Sequence, residues 1–280
     1  MFKIVDNKEL AYKVKLLRIM APEIADKARA GQFVIVRIDK KGERIPLTLA
    51  DWDRNNGTTT IIFQEVGLST LKLGAMEIGE EISNLVGPLG NPSDIKNYGS
   101  VAVVCGGVGT AAAYPIVKAL KEAGNHVVTI LGARTEELLI LENEMKNFSD
   151  EFYISTDDGS KGNRGFVSDV LKALIEKEHL FDLIYAIGPP LMMRATVSVA
   201  KSYSLKTIVS LNPIMVDGCG MCGACMVIVG GETKFACMDG PEFNGNNVDF
   251  EELIRRQRVY IPQEKTASSL YEKLGEINLG

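Results

Sequence analysis

The stretch from about residue 98 to 211 constrains the fold most, because short apolar runs alternate there with helix-length segments. Runs at 101–104, 126–131, 151–155, 183–187 and 206–211 predict strands, and 110–122, 136–146, 167–178 and 191–203 predict helices. Strands alternating with helices need cover on both faces, so the pattern predicts an α/β unit with an open, mostly parallel sheet. Ligands of such sheets bind beyond the carboxyl ends of the strands, which directs attention to the loops there.

Three of those loops are glycine-bearing. Cys105-Gly106-Gly107-Val108-Gly109-Thr110-Ala111-Ala112 follows the first strand and opens a helix, and Gly107, Gly109 and Ala112 satisfy G-x-G-x-x-A. Glycines there permit a tight turn and let a pyrophosphate approach a helix N-terminus. The acidic residue expected after the second strand is missing, since that end reads Gly132-Ala133-Arg134. The other two loops are Thr156-Asp157-Asp158-Gly159-Ser160 and Gly188-Pro189-Pro190-Leu191-Met192. Each alone reads as a turn before a helix, with Asp or Ser as caps. Three on one sheet edge predict a nucleotide crevice. Cys105 reads as a small core residue.

Residues 1–97 have a different texture. Tyr12, Val14 and Leu16 alternate with Lys13 and Lys15, and 33–38, 58–63 and 80–86 are further short strand-like runs. Many short strands without a long helix predict a small closed β-barrel. By composition, Arg44-Ile45-Pro46-Leu47-Thr48 with Leu49-Ala50-Asp51, and Gly67-Leu68-Ser69-Thr70, read as loops between strands. The length of 280 residues fits two such units at roughly 150 residues per domain. The net charge of −5 argues against a dedicated nucleic-acid binder, which needs a basic stripe to neutralise phosphates. The charge-free stretch 97–117 holds four glycines and Pro115, which suits a strand, turn and helix start better than a membrane span. Asp6, Lys8 and Glu9 stand where a signal peptide would be apolar, so a cytoplasmic location is expected.

Four of the five cysteines fall between Cys219 and Cys237, and clustered thiols in a cytoplasmic chain point to metal. The segment reads Met215-Val216-Asp217-Gly218-Cys219-Gly220-Met221-Cys222-Gly223-Ala224-Cys225, with Cys237 following after eleven intervening residues. Cys219, Cys222 and Cys225 give the C-x2-C-x2-C run of a 4Fe–4S site. The plant-type C-x4-C-x2-C spacing instead starts on Asp217, which makes Asp217, Cys222, Cys225 and Cys237 a carboxylate and three thiolates around a 2Fe–2S cluster. Structural zinc on the four cysteines is the plainer alternative. The domain plan is thus a barrel (1–97), an α/β unit (98–211), a cysteine segment (212–246) and a charged tail (247–280) with a helix near 251–258.

Taken together these motifs resemble the ferredoxin–NADP reductase superfamily. The carrying residues are Gly31-Gln32-Phe33, Pro46-Leu47-Thr48, Gly87-Pro88-Leu89-Gly90, Gly106-Gly107-Val108-Gly109, Thr156-Asp157-Asp158-Gly159-Ser160 and the cysteine loop. Within it the chain is similar to the electron-transfer subunits of dihydroorotate dehydrogenases, and more so to the small-subunit family of NADH-dependent ferredoxin–NADP oxidoreductases. Dihydroorotate-type relatives carry cysteine where this chain has Asp217, whereas the small-subunit family carries aspartate.

The resemblance implies FAD in the barrel, with Pro46, Leu47 and Thr48 along the flavin and its phosphates. It places Ile62, Phe63 and Gln64 by its ribityl and adenine side, and Gly67, Ser69 and Thr70 on its pyrophosphate. It implies NAD(H) facing Gly106, Gly107, Gly109, Thr110, Asp157, Asp158, Gly188, Pro189, Pro190 and Met192. The implied cluster ligands are Asp217, Cys222, Cys225 and Cys237, with Cys219 spare. The implied partner is a larger flavin and iron–sulfur subunit that handles NADP and ferredoxin. No residue is expected to act as an acid or base.

Overall fold

The computed structural model describes residues Phe2 to Asn278. Its first sheet has seven strands, in the order Glu81–Ile82, Phe2–Ala11, Val14–Met20, Thr58–Gln64, Ile45–Asp53, Phe33–Arg37 and Asn84–Leu89. All neighbours are antiparallel. Only Ser83 separates the two edge strands along the chain, and its N–H donates to the Ile38 carbonyl at 2.9 Å. The sheet therefore curls into a nearly closed barrel around Ile4, Leu17, Ile19, Leu49, Ile61 and Phe63.

Two details of the barrel differ from the sequence reading and a third adds to it. The segment expected as a loop at 44–51 is most of the nine-residue strand Ile45–Asp53, in which Leu49 and Ala50 are buried. Pro46 and the acidic residues disguise it, and a register shift between Leu49 and Asp51 breaks the alternation. Tyr12 is exposed, and with Lys13 at φ 58° it turns the chain between the first two strands. The charged N-terminus is itself a strand, Phe2–Ala11, whose Ile4 enters the core.

The second sheet runs Asn163–Arg164, Glu151–Thr156, His126–Ala133, Ser100–Gly106, Leu183–Ile187, Thr207–Ser210 and Glu242–Asn244. The first six strands are parallel and the last is antiparallel. Alternate residues of Ser100–Gly106 face opposite layers. Val101, Val103 and Cys105 pack with Ile116 and Leu120 of helix Gly109–Glu122. Ala102 and Val104 pack with Leu171 of helix Val167–Glu176 and Ala200 of helix Pro190–Ser202.

The single helix expected at 136–146 is instead a 3-10 turn, Glu136–Leu138, and a short helix, Glu142–Asn147. Between them Ile140 is 3% exposed and packs with Val14, Ala50 and Ile62 of the barrel and Ala111. Burial across the two units outweighs the local helical pattern.

The cysteine segment spans both units. It forms a hairpin, Met226–Val229 with Glu232–Phe235, and then supplies the last strand of the parallel sheet. Asn91, where the barrel ends, donates from its backbone to the Gly240 carbonyl at 2.7 Å and from its side chain to Met238 at 3.0 Å. The tail forms the expected helix, Phe250–Gln257, and a second one, Ile261–Asn278. Among the described residues no helix is long and apolar enough to cross a membrane.

Both histidines of the chain meet at one carboxylate far along the strands from the glycine loops. His126 and His179 each place Nε2 3.2 Å from a different oxygen of Glu151, and the Tyr153 hydroxyl donates to Glu151 at 2.6 Å. The Tyr153 bond, followed by the histidines, holds the Glu151 carboxyl below its ordinary value. A depressed carboxylate stabilises the fold above its unfolded pKa of about 4.3, and that contribution fades as pH falls through the lower folded value. Glu151→Gln is expected to cost about 1 kcal/mol or less at pH 7. Melts of both proteins at pH 7 and pH 3 should show the difference shrinking in acid.

Candidate functional site

A cleft of about 1110 Å³ opens between the barrel and the carboxyl edge of the parallel sheet. The barrel wall includes Pro46, Leu47, Thr48, Ile62, Phe63, Gln64 and Thr70. The facing wall includes Gly106, Gly107, Gly109, Asp157, Gly188, Pro189, Pro190 and Met192. Two sets of residues far apart in sequence thus share one concavity.

Four residues expected at the site lie off its wall. Gly67 starts helix Leu68–Gly74, and its N–H donates to the Thr70 hydroxyl at 3.1 Å. The Ser69 hydroxyl points to Glu43 at 3.3 Å. Thr110 is fully buried behind the first glycine loop. Asp158 accepts the Ser160 N–H at 3.0 Å and its hydroxyl at 2.7 Å, and these bonds hold its carboxyl below the usual range.

The glycines of the first loop serve two different needs. At Gly107 φ is +55° and a Cβ would meet nothing, so the conformation demands glycine and leaves the backbone open to the cleft. At Gly109 a Cβ would stand 2.6 Å from Gly188 Cα and 2.7 Å from the Ile187 carbonyl. Two of the glycine loops therefore touch, which spacing within either loop could not reveal. The third is bound to the second strand's end, where the Asp157 N–H donates to Ala133 at 3.1 Å and Asp158 to Arg134 at 3.3 Å. Arg134 itself lines the cleft. The sequence reading missed Phe166, Asn212 and Met215 on the wall. Phe166, an exposed aromatic just before a helix, was the one with a signal.

The cysteine loop sits against the barrel. A Cβ on Gly218 would stand 2.7 Å from Leu89 and 2.9 Å from Ile35, so only glycine lets the loop lie this close. Cys225 and Cys237 are buried with sulfurs 3.2 Å apart, whereas Cys219 and Cys222 are exposed. Burial first, and then the Cys225 thiol, push the Cys237 thiol up to about 12, while the Gly220 backbone and the Asp217 charge also act on it. Asp217 accepts the backbone N–H of Cys219 at 3.1 Å and of Cys222 at 2.8 Å. Among the described residues no three His, Cys, Asp or Glu side chains form a closed metal-binding group. The donor chemistry fits an iron–sulfur group: two facing buried thiols, two exposed thiols on a glycine-rich loop, and a carboxylate bonded to that loop's backbone. Cys105, by contrast, is buried, and burial pushes its thiol up to about 12, as suits an inert core residue.

Barrel, parallel sheet and cysteine segment define an oxidoreductase subunit of the ferredoxin–NADP reductase type. Residues 103–198 match the oxidoreductase NAD-binding domain family, and 212–249 match the iron–sulfur cluster binding domain of dihydroorotate dehydrogenase B. The chain is 48% identical over 271 residues to a dihydroorotate dehydrogenase B (NAD(+)) electron transfer subunit homolog of Thermotoga maritima, covering 97% of this chain and 95% of that one. It is 30% identical to the corresponding electron transfer subunit of Clostridium perfringens, covering 89% and 97%. A solved structure of an NADH-dependent reduced ferredoxin–NADP oxidoreductase superposes with TM-score 0.92 at 47% identity, over 97% of this chain and 98% of that chain. The fold is shared with a ferredoxin NADP+ reductase of Neisseria gonorrhoeae (TM-score 0.58, 21% identity, 72% and 89% covered). This chain belongs to the family of dihydroorotate dehydrogenase B-type electron-transfer subunits.

The contact between glycine loops yields a paired test. Gly109→Ala is expected to destabilise by about 1–3 kcal/mol, since backbone atoms must move to admit the methyl. Gly67→Ala, with φ −148° and nothing within 4 Å of its Cβ, should stay within about 0.5 kcal/mol of the parent. Denaturant melts of the two variants measure the contrast.

Proposed function

We propose that this subunit passes electrons between NAD(H), FAD and a 2Fe–2S cluster, and on to a larger flavin and iron–sulfur partner that handles NADP and ferredoxin. The observation that carries this reading is the single cleft walled by both units, with the cysteine segment packed on the same barrel. FAD, when bound, supplies the conversion between two-electron hydride chemistry and one-electron transfer. The protein's part is to hold and orient. Pro46, Leu47, Thr48, Ile62, Phe63 and Gln64 would form the flavin wall, with Gly67, Ser69 and Thr70 at its pyrophosphate end. Gly106, Gly107, Gly109 and Thr110 lie at the start of the helix Gly109–Glu122, whose positive dipole end suits the phosphates of NAD(H). Gly188, Pro189, Pro190 and Met192 would bound the nicotinamide side. Asp217, Cys222, Cys225 and Cys237 would hold the cluster.

A dihydroorotate-oxidising barrel is the second partner to consider, favoured by the name of the Thermotoga relative. Isolating the native complex and identifying its other chain separates the two. A purified protein without flavin and iron–sulfur absorbance would overturn the electron-transfer reading itself.

The ligand set has its own test. Cys219→Ser is expected to leave cluster content and spectrum nearly intact, while Asp217→Ala lowers one or both. Asp217→Cys should still assemble a cluster, with a shifted potential. The reverse pattern, in which Cys219→Ser empties the site and Asp217→Ala does not, rejects Asp217 as ligand.

For the dinucleotide, Asp157 on the cleft wall could accept ribose hydroxyls and, with the neighbouring Asp158 charge, would repel a 2′-phosphate, whereas Arg134 would favour one. The two carboxylates outweigh the single arginine in this reading. The ratio of kcat/KM for NADH over NADPH with an artificial acceptor should exceed about ten, equivalent to roughly 1.4 kcal/mol. A clear NADPH preference contradicts it.

A further inference from the structure

One carboxyl in this molecule has no role in the cleft or the cysteine loop, yet lies where all three parts meet. Glu242 begins the strand that the cysteine segment adds to the parallel sheet, opposite Ser210. Its Oε1 accepts the Ser93 hydroxyl at 2.5 Å, and Ser93 belongs to the link leaving the barrel. A Cβ on Gly31, a barrel residue that lines the cleft, would stand 3.1 Å from the same oxygen. Pro241, next in the chain, also lines the cleft. Glu242 lies five positions after Cys237, so at most about 18 Å of extended chain lies between the two backbones.

The surroundings offer Glu242 no cation. Among the described residues it has no ion pair with any lysine, arginine or histidine. The groups around it are Ser93 and Asp94 on the link, Tyr98 further along it, and Tyr185 on the central strand Leu183–Ile187. Asp94 is itself paired with Lys96 at 2.7 Å, with Lys206 acting on it from a distance. The Tyr185 hydroxyl is buried without a hydrogen-bond partner. Burial pushes the Glu242 carboxyl up to about 7, with Asp94 adding to the rise and the Ser93 bond opposing it. A carboxyl so placed changes its protonation in response to a small change in nearby charge.

We propose that Glu242 shifts toward its protonated form, drawing on solvent, when the cluster held by the same segment gains an electron, and shifts back when the electron leaves. This rests on the iron–sulfur reading above. The balance is one electron onto the cluster and, near pH 7, a fraction of one proton from solvent onto the carboxylate, with only an O–H bond made or broken. A unit charge about 15 Å away, at an effective dielectric of about 20, alters the proton affinity of such a group by roughly sixfold. Glu242 is thereby a positioning residue for charge: it tunes the potential of the cluster without touching it.

The test is the midpoint potential of the cluster in the holoprotein as a function of pH, followed by electron paramagnetic resonance. The cluster carries no proton of its own in this reading, so any slope reports a neighbouring group. The potential is expected to be flat below a break near pH 7, to fall by about 45 mV over roughly one pH unit (the sixfold change at about 59 mV per tenfold), and to level off above it. Glu242→Gln keeps the side chain's shape and should abolish the break. Ser93→Ala removes the bond that favours the charged form and should move the break to higher pH. A pH-independent potential in the parent protein overturns the proposal, as does a break that survives Glu242→Gln or stays in place in Ser93→Ala. A holoprotein preparation with no cluster signal overturns this proposal and the iron–sulfur reading together.

Discussion

The three-residue strand Glu242–Asn244 is the contact on which the rest of the arrangement depends. By pairing with Thr207–Ser210 it anchors the end of the cysteine segment to the parallel sheet. The start of the same segment is held against the barrel by Gly218, and its middle is stitched to Asn91. A loop of thiols that would otherwise swing free is thus fixed at both ends, on the two units that wall the cleft. Backbone pairing provides this fixation without spending any cysteine on it, so the thiols stay available for another use.

That placement matters because electron transfer demands proximity more than it demands reactive side chains. The cleft wall contains neither histidine, and both histidines are occupied at Glu151. The polar groups of the wall, among them Thr48, Gln64, Thr70, Arg134, Asp157 and Asn212, suit holding and aligning. The chemistry is left to bound groups, and the chain contributes geometry and local charge.

Much of this was legible in the sequence for a simple reason. The strands 101–104 and 183–187 are buried on both faces, so their composition alone identifies them, and the glycine loops follow as punctuation. The strand Ile45–Asp53 was not legible, because only Leu49 and Ala50 of it are buried, in two different clusters, and it carries Pro46 and a register shift. The break at Ile140 was not legible either, since its cause lies in barrel residues 78 or more positions away. In the site, residue types and spacings marked the glycines and cysteines. Wall residues such as Asn212 and Met215 are set only by how the two units meet, and local spacing carries no trace of that.

The burial of Ile140 against Val14, Ala50 and Ile62 bears on how the molecule unfolds. An apolar side chain from one unit completes a small core in the other, with Ala111 beside it. Neither unit can open fully without exposing part of its neighbour's interior to water. The cost of that exposure couples the two, favouring one concerted melting event over two independent ones. The barrel excised alone would carry this surface uncovered, an adhesive patch for other chains.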